Sequence, residues 1–115
     1  MLPRLALYCS CLLLSLGCGS ALSSAVEDFE SGRHAQASRR FRTLEADLPE
    51  LSFDERVHYA LYRGLTDLAL GDAESADRWL SQVKREVDVQ PLTLNHAERG
   101  RLLSAWRSLG RMPGE

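Results

Sequence analysis

Residues 62–83, YRGLTDLALGDAESADRWLSQV, hold the reading on which the fold turns. Upstream of Gly71, the residues Val57, Leu61, Gly64, Leu65 and Leu68 recur at steps of three and four, and downstream Ala76, Leu80, Val83 and Val87 do the same. Each set is one stripe of an amphipathic helix. Between the stripes, Gly71 can take the left-handed conformation that closes a helix, and Asp72 offers an acceptor to cap the next one. The segment therefore predicts two helices joined by a tight turn.

Working outward, Gly32, Gly71 and Gly110 stand 39 residues apart, and Ala37, Phe41 and Leu44 follow Gly32 at the same offsets as Ala76, Leu80 and Val83 follow Gly71. Self-similarity at such a period is what stacked helical units produce. Ser52 and Asn95 are each followed three residues later by Glu, the capping box that satisfies the orphan N–H groups of a helix start. Pro49 and Pro91 stop helices ahead of two longer connectors. Leu22, Val26 and Phe29 give a first helix, and Leu102, Leu103, Trp106 and Leu109 a last one. The sequence thus predicts five helices at about 21–31, 34–47, 53–70, 73–88 and 95–109, with no strand.

Residues Tyr62 to Leu65, Leu68 to Asp72, Ala76, Leu80 and Val83 resemble a tetratricopeptide repeat, and Gly32, Ala37, Phe41, Leu44 and Pro49 resemble its second half. Two positions depart from the family pattern: Asp67 stands where an aromatic is usual and Arg63 where an apolar residue is. The unit is also longer, because Leu48 to Phe53 extends the connector. Over residues 21–110 the resemblance implies an all-α fold of stacked antiparallel hairpins, about two and a half repeats, with Leu94 to Leu109 as the cap. It implies a non-enzymatic protein–protein interaction module, a scaffold or assembly factor, with Gly64 and Ala76 where paired helices press together.

The N-terminus reads differently. Arg4 precedes Leu5 to Leu16, a run with no ionisable acid or base that is too short to span a bilayer and resembles a secretory signal peptide. Gly17 before Cys18 at its end resembles the lipobox of bacterial lipoproteins, although Ser15 stands where that family usually has Leu. The resemblance implies a signal peptide over 1–17, a mature domain over 18–115, and diacylglycerol on Cys18 holding the domain at a membrane of the bacterial envelope. Gly19 after the Cys resembles cargo sorted to the outer membrane, with the domain in the periplasm or at the surface. Two other fates fit the same residues: ordinary signal-peptidase cleavage after Ala21 or Ala25, which would release a soluble periplasmic chaperone or accessory subunit, and retention as an uncleaved anchor.

All three cysteines, Cys9, Cys11 and Cys18, lie in this leader, so a mature chain beginning at Cys18 has no thiol free for a disulfide or a Cys-based metal site. In the whole chain 14 basic residues face 16 acids, a net charge of −2, and the bases are interspersed with acids, which disfavours nucleic acid as a partner. No phosphate loop, Gly-x-Ser-x-Gly or His-Glu-x-x-His occurs, and His34, His58 and His96 fall on three separate helices. No catalytic, cofactor or metal residue is therefore assigned. On the third helix His58, Tyr62, Leu65 and Ala69 form a second stripe beside the core one. In repeat stacks that flank lines the concave face, making it the candidate face for a protein partner with an apolar anchor segment; packing against the fifth helix is the competing use.

Overall fold

The computed structural model describes residues 17–111, with side chains from Ser20 onward. The leader expected over 1–17, apart from the backbone of Gly17, and the side chain of Cys18 lie outside the described residues. The described chain is all-α: α1 (Gly17–Glu30), α2 (His34–Leu44), α3 (Phe53–Ala69), α4 (Ala73–Val89) and α5 (His96–Ser108), with 3₁₀ segments at Glu45–Glu50 and Pro91–Thr93.

The three glycines of the 39-residue period are three copies of one helix stop. Gly32, Gly71 and Gly110 have φ of 80°, 85° and 76°, the left-handed region that a Cβ disfavours. In each copy the glycine N–H bonds the carbonyl three residues back, as Gly71 does to Leu68 at 3.1 Å. The next N–H reaches five back: Arg33 to Asp28, Asp72 to Asp67, and Arg111 to Trp106 at 2.8–3.1 Å. This pair of hydrogen bonds is the Schellman cap. Turns this short fold α1 against α2 and α3 against α4 as antiparallel hairpins, the two most extensive helix pairings of the molecule. α3 also packs on α2, α1 and α5, which places it at the centre of the stack.

Within the hairpins, equivalent positions do equivalent work. Gly64 lies against Leu80, where an added Cβ would stand 2.7 Å from Leu80 Cγ; one period earlier the fully buried residues are Ala25 and Phe41. Asp28 and Asp67, also one period apart, are buried carboxylates just before their glycines, and each is answered from the helix after the turn. Ser75 Oγ donates to Asp67 Oδ2 at 2.6 Å. Arg33 Nε donates to Asp28 Oδ1 at 3.0 Å, and Arg40 Nε stands 2.7 Å from Oδ2 as an ion contact without hydrogen-bond alignment. The departure at Asp67 thus has a structural reason, since the carboxylate ties α3 to α4.

Two helix ends differ from expectation. α2 stops at Leu44 rather than near residue 47 and tightens into the 3₁₀ segment, because Pro49 has no N–H to give and its ring would strike the carbonyl one α-turn back. α1 already includes Gly17, ahead of the expected residue 21. Both capping boxes form, Ser52 with Glu55 and Asn95 with Glu98.

The two mid-helix glycines should respond oppositely to alanine. Ala is about 0.8–1 kcal/mol more favourable than Gly in a helix, whereas forcing a methyl into a packed core costs about 1–3 kcal/mol. Gly100 has nothing within 4 Å of its would-be Cβ. Gly100→Ala is expected to raise stability by up to about 1 kcal/mol and Gly64→Ala to lower it by about 1–2 kcal/mol, as read by chemical denaturation.

Candidate partner-binding groove

The odd-numbered helices α1, α3 and α5 adjoin one another along one side of the stack, and their polar side chains meet in a single chain of contacts. Tyr62 on α3 sits edge-on to Phe29 of α1, ring centroids 5.5 Å apart. Its hydroxyl donates to Glu98 Oε2 of α5 at 3.2 Å and accepts from Arg101 Nη1 at 3.1 Å. Arg101 also pairs with Glu30 Oε1 at 3.4 Å and lies over the Phe29 and Tyr62 rings. Glu98 completes its own helix cap, accepting from Asn95 N–H at 3.1 Å, and faces His58 Nε2 at 3.2 Å. His58 Nδ1 is 2.8 Å from the Asp54 carbonyl. One buried carboxylate therefore joins a tyrosine, a histidine and a helix start.

Two titrations follow from this arrangement. Burial, with Glu98 in support, pushes the Tyr62 hydroxyl up to about 12, so it stays a donor at every physiological pH. For His58, burial works against the charged ring, but the Asp54 carbonyl and the Glu98 carboxylate together outweigh it and hold the imidazole above its ordinary value.

Beside this network, toward the turn end of the helices, a groove of about 660 Å³ opens between α1, α3 and α5. Phe29, Leu65, Leu68 and Ala105 give it apolar walls, with Arg101 and Ser104 at its margin. His34 also lines it, at the start of α2, its ring 5.4 Å from Phe29 and its Nδ1 buried without a hydrogen-bond partner among the described residues. Phe29, Arg101 and Ser104 were not legible as site residues, because what brings them together is the stacking of α1 and α5 on α3, not a motif in any one helix.

The stripe expected to face a partner is largely an internal seam. Tyr62 is 4% and Leu65 8% exposed, His58 is half-buried against Glu98, and only Ala69 is open to solvent. The reason is that α3 is covered on this flank by Phe29 from α1 and by the returning α5, so a second stripe is buried as well as the first. The available surface is the groove that Leu65 borders. His96 lies exposed at the start of α5, and among the described residues no group of three His, Cys, Asp or Glu is placed to hold a metal ion.

The His58–Glu98 contact predicts a pH dependence. Because the folded state holds the His58 proton more tightly than the unfolded chain, its contribution is complete below the ordinary histidine value, about 6.5, and is lost as pH rises through the raised folded value. The stability difference between the native chain and His58→Gln should therefore be larger at about pH 5.5 than at about pH 8.5. Thermal melts at the two pH values measure it, and an equal difference at both would remove the charge pair from the account.

Comparison with protein-family models, with curated proteins and with solved structures finds no match to this chain.

Proposed function

We propose that this chain is a non-enzymatic protein–protein interaction module, a scaffold or assembly factor of tetratricopeptide-like build, held in the bacterial envelope by lipid on Cys18. The observation that carries the reading is the groove itself: an apolar trough shared by three successive first helices of stacked units, where an apolar segment of a partner peptide or helix can lie. Its polar margin is already paired within the chain, Arg101 with Glu30 and Tyr62. That arrangement suits selection of a partner by shape and apolar contact.

The groove can be blocked without touching the core. Ser104 is exposed at its edge, so Ser104→Trp should leave the thermal midpoint unchanged while abolishing capture of the partner crosslinked in the native cell. Unchanged capture by a folded Ser104→Trp chain would move the binding surface elsewhere.

The alternative, a soluble periplasmic chaperone or accessory subunit, requires cleavage within α1. Cleavage after Ala25 would remove Leu22 and Ala25, both buried, and with them about 1.5–3 kcal/mol for the leucine alone. That cost favours a start at Cys18 over a start at Val26. Cys18→Ser should leave an unprocessed precursor or a soluble product, while the native chain should yield an N-terminal fragment carrying the mass of diacylglycerol. Membrane fractionation of Cys18→Ser at the native processed size would exclude lipid on this residue.

A further inference from the structure

The two ends of the stack are chemically unlike. One end carries the three glycine turns, at residues 31–33, 70–72 and 109–111. The other carries the start of α1 and both connectors, Glu45–Ser52 and Gln90–Asn95. The first connector is acidic, with Glu45, Asp47 and Glu50, whereas from Val89 to Asn95 the chain has no charge at all. Within that uncharged stretch Val89 is 78% and Leu92 91% exposed, the two most exposed large apolar side chains among the described residues, on either side of Pro91. Leaving two such side chains in water forgoes the gain of burying them.

The connector is not a loose loop. Pro91 opens a 3₁₀ turn, the Thr93 hydroxyl donates to the Gln90 carbonyl at 2.9 Å, and Leu94 is anchored in the core. Its backbone is held so that Leu92 points away from the fold.

The level of this tip along the stack can be read from contacts. The groove is lined by Glu30, Leu68 and Ser108 together, so the turn ends of α1, α3 and α5, which run in the same direction, stand side by side. At a rise of about 1.5 Å per residue, residue 18 stands about 18 Å from the turn end of α1 and Val89 about 24 Å from the turn end of α4. The tip at Val89–Leu92 therefore lies at or just beyond the level at which Cys18 and the apolar run Leu5–Leu16 join the fold. With lipid on Cys18, as proposed above, the membrane lies at this end.

We infer that the α4–α5 connector is a membrane-contact tip: Val89, Pro91 and Leu92 enter the interface of the same bilayer that holds the N-terminus. This rests on the membrane-anchored reading above. The surface it fits is zwitterionic, because the tip has no charge of its own and Asp88 beside it is already paired with Lys84 at 2.9 Å. Interfacial insertion reaches about 5–10 Å into the headgroup and acyl boundary, a depth two exposed side chains on a short turn can occupy. With the N-terminus, the tip gives the domain two points of attachment and so a fixed tilt.

The test uses the full chain, produced in a bacterium that processes lipoproteins and reconstituted into phosphatidylcholine vesicles. A thiol-reactive fluorophore is placed on Leu92→Cys or on Leu70→Cys, the latter an apolar position 48% exposed at the opposite end. A chain without the added cysteine measures any label on the native thiols. Flotation with the vesicles reports anchoring, and quenching by phosphatidylcholine brominated near the top of the acyl chain reports insertion. The expected result is flotation of both chains, with several-fold stronger quenching at position 92 than at position 70. Flotation with equal or no quenching at the two positions overturns the tip and leaves the anchor standing. A blue-shifted emission at position 92 that brominated lipid does not quench overturns it in favour of a second copy or another protein on the tip. Failure to float overturns the anchor and the tip with it.

Discussion

α3 is surrounded, and the rest of the structure follows from how its polar groups are answered. With α2 and α4 on one side and α1 and α5 on the other, a donor or acceptor on this helix must find a partner in a neighbour or remain unsatisfied, at about 1–3 kcal/mol each. Three of the four neighbours supply one, and α1 contributes the Phe29 ring instead. Tyr59, completely buried, donates to the Phe41 carbonyl of α2 at 2.7 Å and accepts from Arg63, which reaches on to Glu45 and lies over the Trp79 ring of α4. Asp67 takes the Ser75 hydroxyl of α4, and Tyr62 and His58 share Glu98 of α5. A shift of α2, α3, α4 or α5 by one turn would break at least one of these pairs. In a domain whose whole stability is of order 5–15 kcal/mol, that fixes the register.

This also explains what the sequence could and could not reveal. The period of 39 was legible because its cause is local: a glycine at positive φ, and an alanine or glycine where two helices touch, leave the same mark in every unit. Ser52, Asp72 and Asn95 announced their helix starts for the same reason, since a cap is a contact between residues three apart. The second stripe of α3, with Tyr62 and Leu65, was legible, but which of its two uses it serves was not. Periodicity marks a stripe as apolar without saying what covers it, and here α5 does, folding back from residue 96 onward. Glu98 looked like half of a capping box and is that, yet the same carboxylate holds Tyr62 and His58, residues 36 and 40 positions away. The early end of α2 turned on Pro49 acting on the turn before it, where periodicity alone carried the helix on.

The stack is finished differently at its two flanks. α5 occupies the place of a third first helix and has no companion helix among the described residues, and the positions one period on from Leu61, Gly64 and Leu68 are Gly100, Leu103 and Arg107. All three are exposed, so the notch that Leu80 fills in the second hairpin has no counterpart, and a mostly polar surface stands there instead, as a terminal unit requires. Arg111 closes the same flank from the last turn, bonding Asp77 of α4 through two nitrogens at 2.8 and 2.9 Å and lying over Trp106. The groove sits inside this cap, bordered by a helix pinned at both ends.

The position of the groove along the helices then bears on how a partner could reach it. Phe29, His34 and Ser108 line it near the turn end, whereas the start of α1 and the uncharged connector lie at the other. Phe29 is eleven residues from Cys18, a helical rise of roughly 16 Å. A domain attached to a bilayer by its connector end would hold the groove beyond the headgroups, opening sideways into water. The short turns have no apolar tip comparable to Val89 and Leu92 because a Schellman stop leaves only the glycine and one residue on either side of it outside the helices. The same asymmetry of connections, tight at one end and long at the other, thus separates an exposed apolar tip from an apolar groove within one small helical stack.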